Sequence, residues 1–400
     1  MAIAHDYLTQ RGGAERVVLA MAKAFPEAPI YTLLYAPDST FPEFRDLDIR
    51  TMPINRIRLF RRFHRLSLPL LPFAASSKRI DADVVLASSS GWAHGFRTTG
   101  RKVVYCYSPA RWLYQSKRYL GENSSLTAKI TLFALRPFLR RWDKRAAASA
   151  DEYLAISTEV RGRILDLYGR GSTLIPAPYS DAVTGTAHAS QKLITWVGDR
   201  EFHLCVSRLL PYKNVTAVVE AFAREPHKSL IVVGRGPLEH QLRANATPNV
   251  LFLKDIPDAE LAWLYEKCRS LIAVSFEDYG LTPIEAASFG KPSIVLRWGG
   301  YLDTTIEGIT AVYVEEPRAA NIRAAMNEIE SQTWDVSLIA IHAAAYTESQ
   351  FVERLRNAVL FGPADGTGSR QSEKDRPAPD EDDSDPLFRV EPFTEQKDAE

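Results

Sequence analysis

Two glutamates, Glu277 and Glu285, are separated by seven residues in the stretch FEDYGLTPIEAASFGKPSIVLRWGG (276–300), with Gly280-Leu281-Thr282 and Pro283 between them. Proline at a first helical position and glutamate in the first turn both suit a helix start, here at Pro283. The free backbone N–H groups of such a start form an anion site suited to a diphosphate. Glu285, in that first turn, is placed to accept hydrogen bonds from a ribose diol, and Glu277, on the loop before, to meet a sugar's hydroxyls. The plainer alternative is a pair of surface carboxylates capping a helix; the glycines on both sides weigh against it. A second stretch, VSRLLPYKN (206–214), runs from a strand through a loop into a helix and carries Arg208 and Lys213. A planar fork and a mobile point charge are the pair of cations that holds a phosphate. A third, VGRGPLE (233–239), is a glycine turn, but Glu239 stands where the dinucleotide fingerprint needs its last glycine. No convincing ribose-binding acid follows, so a nicotinamide-dependent dehydrogenase loses ground.

Near the start, LTQRGGAER (8–16) follows a short strand, and Gly12-Gly13 lets backbone approach a ligand closely or simply makes a tight strand–helix connection. Asp81-Ala-Asp83 has the form of a metal-binding DxD but precedes a buried strand, which makes it a turn. SSSGWAHG (88–95) places His94 at the carboxyl end of a strand, where ligands gather in open α/β sheets; the alternative is a structural histidine.

These pieces need a scaffold of alternating strands and helices. Short β-branched runs predict strands at 2–4, 83–88, 103–106, 153–156 and 172–175, with helices over 14–24 and 126–150. The pattern restarts with strands at 202–207, 230–233, 250–253, 270–274 and 293–296 and helices over 215–222, 258–267 and 284–289. Such alternation implies an α/β fold with parallel sheets, two tandem Rossmann-like units. The join falls at 176–192, rich in Pro, Gly and small polar residues, which divides the chain into domains 1–180 and 181–362. Residues 321–330 and 337–360 read as helices closing the globular part. Residues 363–400 hold acidic runs and few apolar side chains, and a disordered tail is expected there.

A chain of 400 residues suits two domains of this size. The 49 basic and 49 acidic side chains cancel, so the net charge points to no nucleic acid. Their distribution is uneven: residues 1–180 carry 27 basic and 15 acidic side chains, and residues 363–400 carry 5 and 12. Cys106, Cys205 and Cys268 are scattered, without a CxxC or a histidine pair at ligand spacing, which excludes a disulfide scaffold and a structural zinc site. No basic, apolar leader opens the chain and no run of 18 apolar residues occurs, so a soluble cytoplasmic protein is expected. The lack of a leader also weighs against a periplasmic-type binding protein.

Taken in order, HDYLTQRGGAERVV, SSSGWAHG, YCYSPARWLY, VSRLLPYKNV, VGRGPLE and EDYGLTPIEAASFGKPSI resemble the family 4 retaining glycosyltransferases of the two-domain GT-B fold, over residues 1 to about 360. The likeness is strongest to the branch of bacterial mannosyltransferases of surface glycans. The resemblance implies two Rossmann-like domains facing each other across a cleft, the first binding acceptor and the second a nucleotide-sugar. It implies that Arg208 and Lys213 neutralise the diphosphate, Glu277 binds the transferred sugar and Glu285 the ribose. Gly280, Leu281 and Thr282 would touch the phosphates and sugar, Gly12 and Gly13 would close over them, and the 253–256 segment would lie near the base. Asp6, Tyr107 and Arg111 are the acceptor-side positions. Relatives often read Tyr-Cys-His-Thr-Pro where this chain has Tyr105-Cys106-Tyr107-Ser108-Pro109, so the histidine's part falls to Tyr107 or to His94. The implied reaction needs no metal and no cofactor beyond the donor, with GDP-mannose the expected donor and UDP- or dTDP-sugars the rivals. A catalytically silent GT-B module binding a glycan or a partner is the alternative from another class.

The segment 55–80, NRIRLFRRFHRLSLPLLPFAASSKRI, interleaves Arg56, Arg58, Arg61, Arg62, Arg65, Lys78 and Arg79 with Leu59, Phe60, Phe63, Leu66, Leu68, Leu70, Leu71 and Phe73, without one acid. A basic, aromatic amphipathic piece suits an anionic membrane surface; a core helix with a solvated basic side is the alternative. The run RPFLRRWDKR (136–145) would reinforce it from the same face. A peripheral enzyme acting on a lipid-linked or membrane-bound glycan at the inner leaflet is the resulting expectation.

Overall fold

The computed structural model describes residues 1–62, 67, 69–115, 126–180 and 186–362. Seven parallel strands form the first sheet, in the order Ile49–Thr51, Ile30–Thr32, Ala2–His5, Val84–Ser89, Arg101–Cys106, Glu152–Ala155 and Thr173–Leu174. Six form the second: Val250–Leu253, Ser229–Val233, Phe202–Val206, Leu271–Ala273, Ser293–Leu296 and Ala311–Val314. The central strands are short apolar runs buried along almost their whole length, as parallel strands covered on both faces must be. A separate parallel ladder pairs Arg79–Ile80 with Arg97–Thr98. Among the described residues no helix is long and apolar enough to cross a membrane.

In each sheet the strand order reverses once. The reversals lie between Ala2–His5 and Val84–Ser89, and between Phe202–Val206 and Leu271–Ala273. Loops leave the carboxyl ends of adjacent strands in opposite directions at such a point and open a crevice for a ligand.

Each strand expected from the sequence is present, with ends shifted by at most two residues. Ile30–Thr32, Ile49–Thr51 and Ala311–Val314 are further strands that the sequence analysis does not predict. The helix expected to start at Pro283 begins at Leu281, two residues earlier, with Gly280 as its cap at φ +89°. Glu285 is therefore the fifth helical residue and lies outside the first turn.

The helix expected over 337–360 is two helices, Val336–Ala344 and Glu348–Phe361. Asp335 caps the first by accepting from the N–H groups of Ser337 and Leu338. The second does not close the second domain, to which the 181–362 boundary assigned it. Phe351, Leu355, Ala358 and Val359, spaced as one helical face, are buried in the core of the first sheet. Lys23 pairs with Glu348 and Arg356 donates to the Ala24 carbonyl, tying this helix to Gly13–Ala24. The chain thus passes between the domains twice, near Tyr179 and near Tyr346, and the Tyr179 N–H donates to the Tyr346 carbonyl at 3.1 Å. The tail expected to be disordered, 363–400, lies outside the described residues, as do residues 63–66 and 68 of the basic segment, among them Arg65.

If helix Glu348–Phe361 belongs to the first core, Phe351→Ala leaves a void there. A loss of about 3–5 kcal/mol is expected, read from urea unfolding followed by a probe in residues 1–180. An undiminished first transition would contradict this packing.

Candidate functional site

Across the reversal of the second sheet, the loop after Phe202–Val206 meets the loop after Leu271–Ala273. Asn214, at φ 56°, donates its side-chain amide to the Val274 carbonyl at 2.8 Å, and the Phe276 N–H donates to the Tyr212 carbonyl at 3.4 Å. These ties bring Lys213, which ends the short turn Pro211–Lys213, into an ion pair with Glu277. Arg208 lies exposed at the same carboxyl end and donates to the Tyr212 hydroxyl at 3.0 Å. Burial, then the Arg208 and Arg111 guanidiniums, push the Lys213 ammonium down to about 7. The structure thus brings Arg208, Lys213 and Glu277 together at the carboxyl end of the second sheet.

Gly280 starts its helix pressed on the Tyr301 ring, where a Cβ would lie 2.5 Å from Cδ1, so no side chain fits. Leu281 and Thr282 form the first turn and expose N–H groups that no helical carbonyl meets. The half-buried Glu285 accepts a 2.6 Å hydrogen bond from the buried Tyr265 hydroxyl, which fixes one oxygen. Its pKa is raised, by burial first and against that bond. Tyr265, on helix Asp258–Lys267, carried no signal in the sequence, because its partner is 20 residues away on another element.

The first domain supplies the opposite wall. Gly12, in extended conformation, caps helix Gly13–Ala24. A Cβ on Gly13 would lie 2.8 Å from Leu281 Cδ1, and one on Gly12 would lie 2.6 Å from Glu15 Oε2. The glycine pair therefore permits close approach to the second domain as well as a tight helix start. Tyr107 lies behind it, its hydroxyl bonded to Ser88 Oγ at 2.9 Å and to the Ala14 carbonyl at 3.2 Å. Ser88 Oγ also meets His5 Nδ1 at 3.0 Å, and burial pushes His5 down to about 4, which keeps it neutral.

Three of the expected site residues are placed otherwise. His94 is 2% exposed: Nδ1 faces Ser89 Oγ at 3.1 Å, Nε2 faces Asp143 Oδ1 at 3.2 Å, and Trp142 packs on the ring. With both nitrogens facing partners inside the first domain, it is a core histidine and has no catalytic reach. Asp6 is also buried, and its oxygens accept from the N–H groups of Ser90 at 2.7 Å, Trp92 at 3.1 Å and Ala93 at 2.6 Å. Burial raises it to about 6 against the pull of those bonds, and its work is to shape the 90–93 loop rather than to meet an acceptor. Arg111 turns to the second domain, where it donates to Asp278 Oδ2 at 2.5 Å. Among the described residues no group of three or more His, Cys, Asp or Glu is placed to hold a metal ion.

The sequence reading also passed over Glu15. It is 2% exposed, with Oε2 unpartnered, at the first turn of the helix behind Gly12-Gly13. Burial raises it to about 7, moderated by its own backbone N–H, by Gln10 and by Arg208. A carboxyl raised in the fold adds stability below its unfolded value, near 4.5, and that stability is lost as pH climbs through about 7. Glu15→Gln removes the loss. The variant's advantage over the native chain should grow between pH 5 and pH 8 to at most about 3 kcal/mol, measured by urea unfolding; a pH-independent difference would rule this out.

The family model for glycosyl transferases group 1 matches residues 189–344, and the model for Glycosyltransferase Family 4 matches residues 11–179. The GDP-mannose-dependent alpha-(1-6)-phosphatidylinositol monomannoside mannosyltransferase of Mycolicibacterium smegmatis is 27% identical over 250 residues, 57% of this chain and 65% of that protein. The alpha-1,3/1,6-mannosyltransferase ALG2 of Dictyostelium discoideum is 38% identical over 81 residues, 20% of this chain and 19% of that one. The chain thus spans just under two thirds of the first relative's length and about a fifth of the second's. The crystal structure of Anabaena HepE in complex with UDP-glucose superposes with a TM-score of 0.66 at 16% identity, over 90% of this chain and 99% of that one, a likeness of fold. With one family model on each sheet-bearing half and two parallel-sheet domains meeting at their carboxyl ends, the chain belongs to glycosyltransferase family 4 and has the GT-B fold.

Proposed function

We propose that this protein transfers a hexose, mannose from GDP-mannose, with retention of configuration onto a lipid-linked or membrane-bound glycan. The observation that carries the reading is the convergence of Arg208, Lys213 and Glu277 at the strand-order reversal of the second sheet, opposite Gly12-Gly13. The two mannosyltransferase relatives favour mannose, and one of them is GDP-mannose-dependent.

In this reading the donor diphosphate lies on Arg208, Lys213 and the N–H groups of Leu281 and Thr282. Glu277 accepts from hydroxyls of the sugar, and Glu285, oriented by Tyr265, from the ribose. Lys213 and Glu277 form an ion pair. An arriving donor divides that pair, the ammonium going to phosphate and the carboxylate to sugar, so neither charge is left alone in a half-buried site. The bond from the anomeric carbon to the diphosphate oxygen breaks, and the acceptor oxygen bonds to the same face. Its proton passes to the departing phosphate oxygen. Fixed cations then meet the charge that develops on the leaving group, without a metal or a further cofactor.

A membrane-bound acceptor is supported by the first domain's surface. Phe73, 61% exposed, stacks on Phe138, 44% exposed, with centroids 5.6 Å apart. Helix Leu71–Ser76 and the basic run 136–145 therefore share one face, and Arg140, Arg141, Lys144 and Arg145 are exposed along that run. Arg56, Ile57, Arg58 and Leu59 are exposed as well. Aromatic side chains beside fixed cations suit an anionic bilayer. Against this whole reading stands the silent module, favoured by Tyr107, whose hydroxyl is held by Ser88 and Ala14 where relatives often carry a histidine.

Thermal unfolding against GDP, UDP, dTDP and ADP separates the two. A bound nucleotide at a hundredfold its Kd adds about 2.7 kcal/mol, so GDP alone should raise Tm by several degrees, and Arg208→Ala should remove the rise. No shift with any nucleotide would favour the silent module. With transfer in hand, Glu277→Gln should lower kcat at least about a hundredfold in a nucleotide-release assay. Reversing Arg56, Arg58, Arg61 and Arg79 to Glu should abolish co-sedimentation with anionic vesicles; retained binding would refute the membrane face.

A further inference from the structure

Asp278 stands between the sugar-facing Glu277 and the helix-starting Gly280, on a loop of the second domain, yet its partners belong to the first. It is 3% exposed. Arg111 donates to Oδ2 at 2.5 Å and Arg163 to Oδ1 at 2.6 Å, so each oxygen holds one guanidinium. Arg111 opens the short helix after strand Arg101–Cys106, and Arg163 lies on helix Thr158–Tyr168 after strand Glu152–Ala155. Arg163 is steadied by Glu159 at 2.7 Å and lies over the Trp298 ring at 5.8 Å.

The loop that carries Asp278 has no slack of its own. The Gly300 N–H donates to the Glu277 carbonyl at 3.0 Å, and at both Gly299 and Gly300 an added Cβ would collide with the 277–279 backbone. A second domain-to-domain tie lies close in sequence: Asp303 accepts from the Thr158 N–H and hydroxyl, each at 2.7 Å. Burial alone would raise Asp278; the two guanidiniums overcome it and hold the carboxyl below its ordinary value. Removing such a group from water is unfavourable unless its cations arrive with it. The three charges therefore come together only when the domains close in this register.

We infer that Asp278 is a positioning residue for transfer: through Arg111 and Arg163 it latches the Glu277 loop of the donor domain to the acceptor domain and sets the register in which the cleft closes. This rests on the transferase reading for its kinetic consequence but not for its structural one. Arg111 and Arg163 become the first domain's half of the latch, and Glu277 is carried with it because it is the adjoining residue. An error of about 1 Å in the placement of reacting groups can cost about a hundredfold in rate.

Asp278→Asn keeps the shape and removes the charge; Arg111→Gln removes one partner. With the transferase assay, each should lower kcat about tenfold to a hundredfold while nucleotide affinity, measured by titration calorimetry, stays within about threefold. The double variant should be no slower than the worse single, because both break one latch. Small-angle scattering of the same proteins without ligand gives the structural arm, which needs no activity: both variants should show a larger radius of gyration than the native chain. Multiplying kcat losses, an unchanged kcat, or lost nucleotide binding in Asp278→Asn would each overturn the latch, the last by moving Asp278 into the donor site. Unchanged scattering would overturn it even if no donor were ever found. Failure of every nucleotide to bind the native chain, with expanded variants, would sink the transferase reading and leave the latch standing.

Discussion

A parallel sheet whose strand order reverses leaves a gap at its carboxyl edge, because the loops on either side of the reversal depart in opposite directions. This chain has two such gaps, one beside His5 and Ser88 and one beside Val206 and Ala273. Almost everything chemical in the molecule is a response to them. The first gap is filled from within: Asp6 bridges it to three backbone N–H groups, and His5, Ser88 and Tyr107 chain across it. The second is bordered by Lys213, Glu277 and Arg208 on loops that hydrogen bonds hold together.

The same contrast governs the charges. In the first domain two buried groups face partners of the same domain: Asp6 accepts from three backbone N–H groups, and His94 lies between Ser89 and Asp143. At the boundary such groups are satisfied only in part or only by the other domain. Glu15 keeps one oxygen unpartnered, Lys213 and Glu277 have each other, and Asp278 depends on Arg111 and Arg163. Charge that is content without a ligand builds scaffold. Charge that must be shared marks where the molecule is prepared to rearrange.

The cluster on the second domain was legible in the sequence and most of the first domain's facing wall was not, for a physical reason. Arg208 and Lys213, or Glu277, Gly280 and Glu285, sit within nine residues of one another on a single strand–loop–helix passage, so their relation is local. The parallel strands were legible from their unbroken apolar runs. Asp278 and Arg111 are 167 residues apart and Arg163 is 115 away, and no periodicity reports such a meeting. His94 read as a ligand because its strand end is a ligand position; Asp143, 49 residues on, claimed it for the core. Nothing in the sequence sets Glu15 apart from other acids in a first helical turn, because its burial comes from the fold, and the apolar face of Phe351 and Leu355 does not say which core takes it.

That last helix has a mechanical consequence. Because the chain leaves the first domain near Tyr179 and returns to it near Tyr346, two covalent strands cross the boundary, and they cross side by side, joined by a backbone hydrogen bond. Two pins set next to one another act as one pivot. They resist sliding and pulling apart, and leave the angle about their shared point to the ties across the cleft, Asp278 to Arg111 and Arg163 and Asp303 to Thr158. A small change at those ties would turn one domain against the other as a door turns, with every degree magnified in proportion to distance from the pivot.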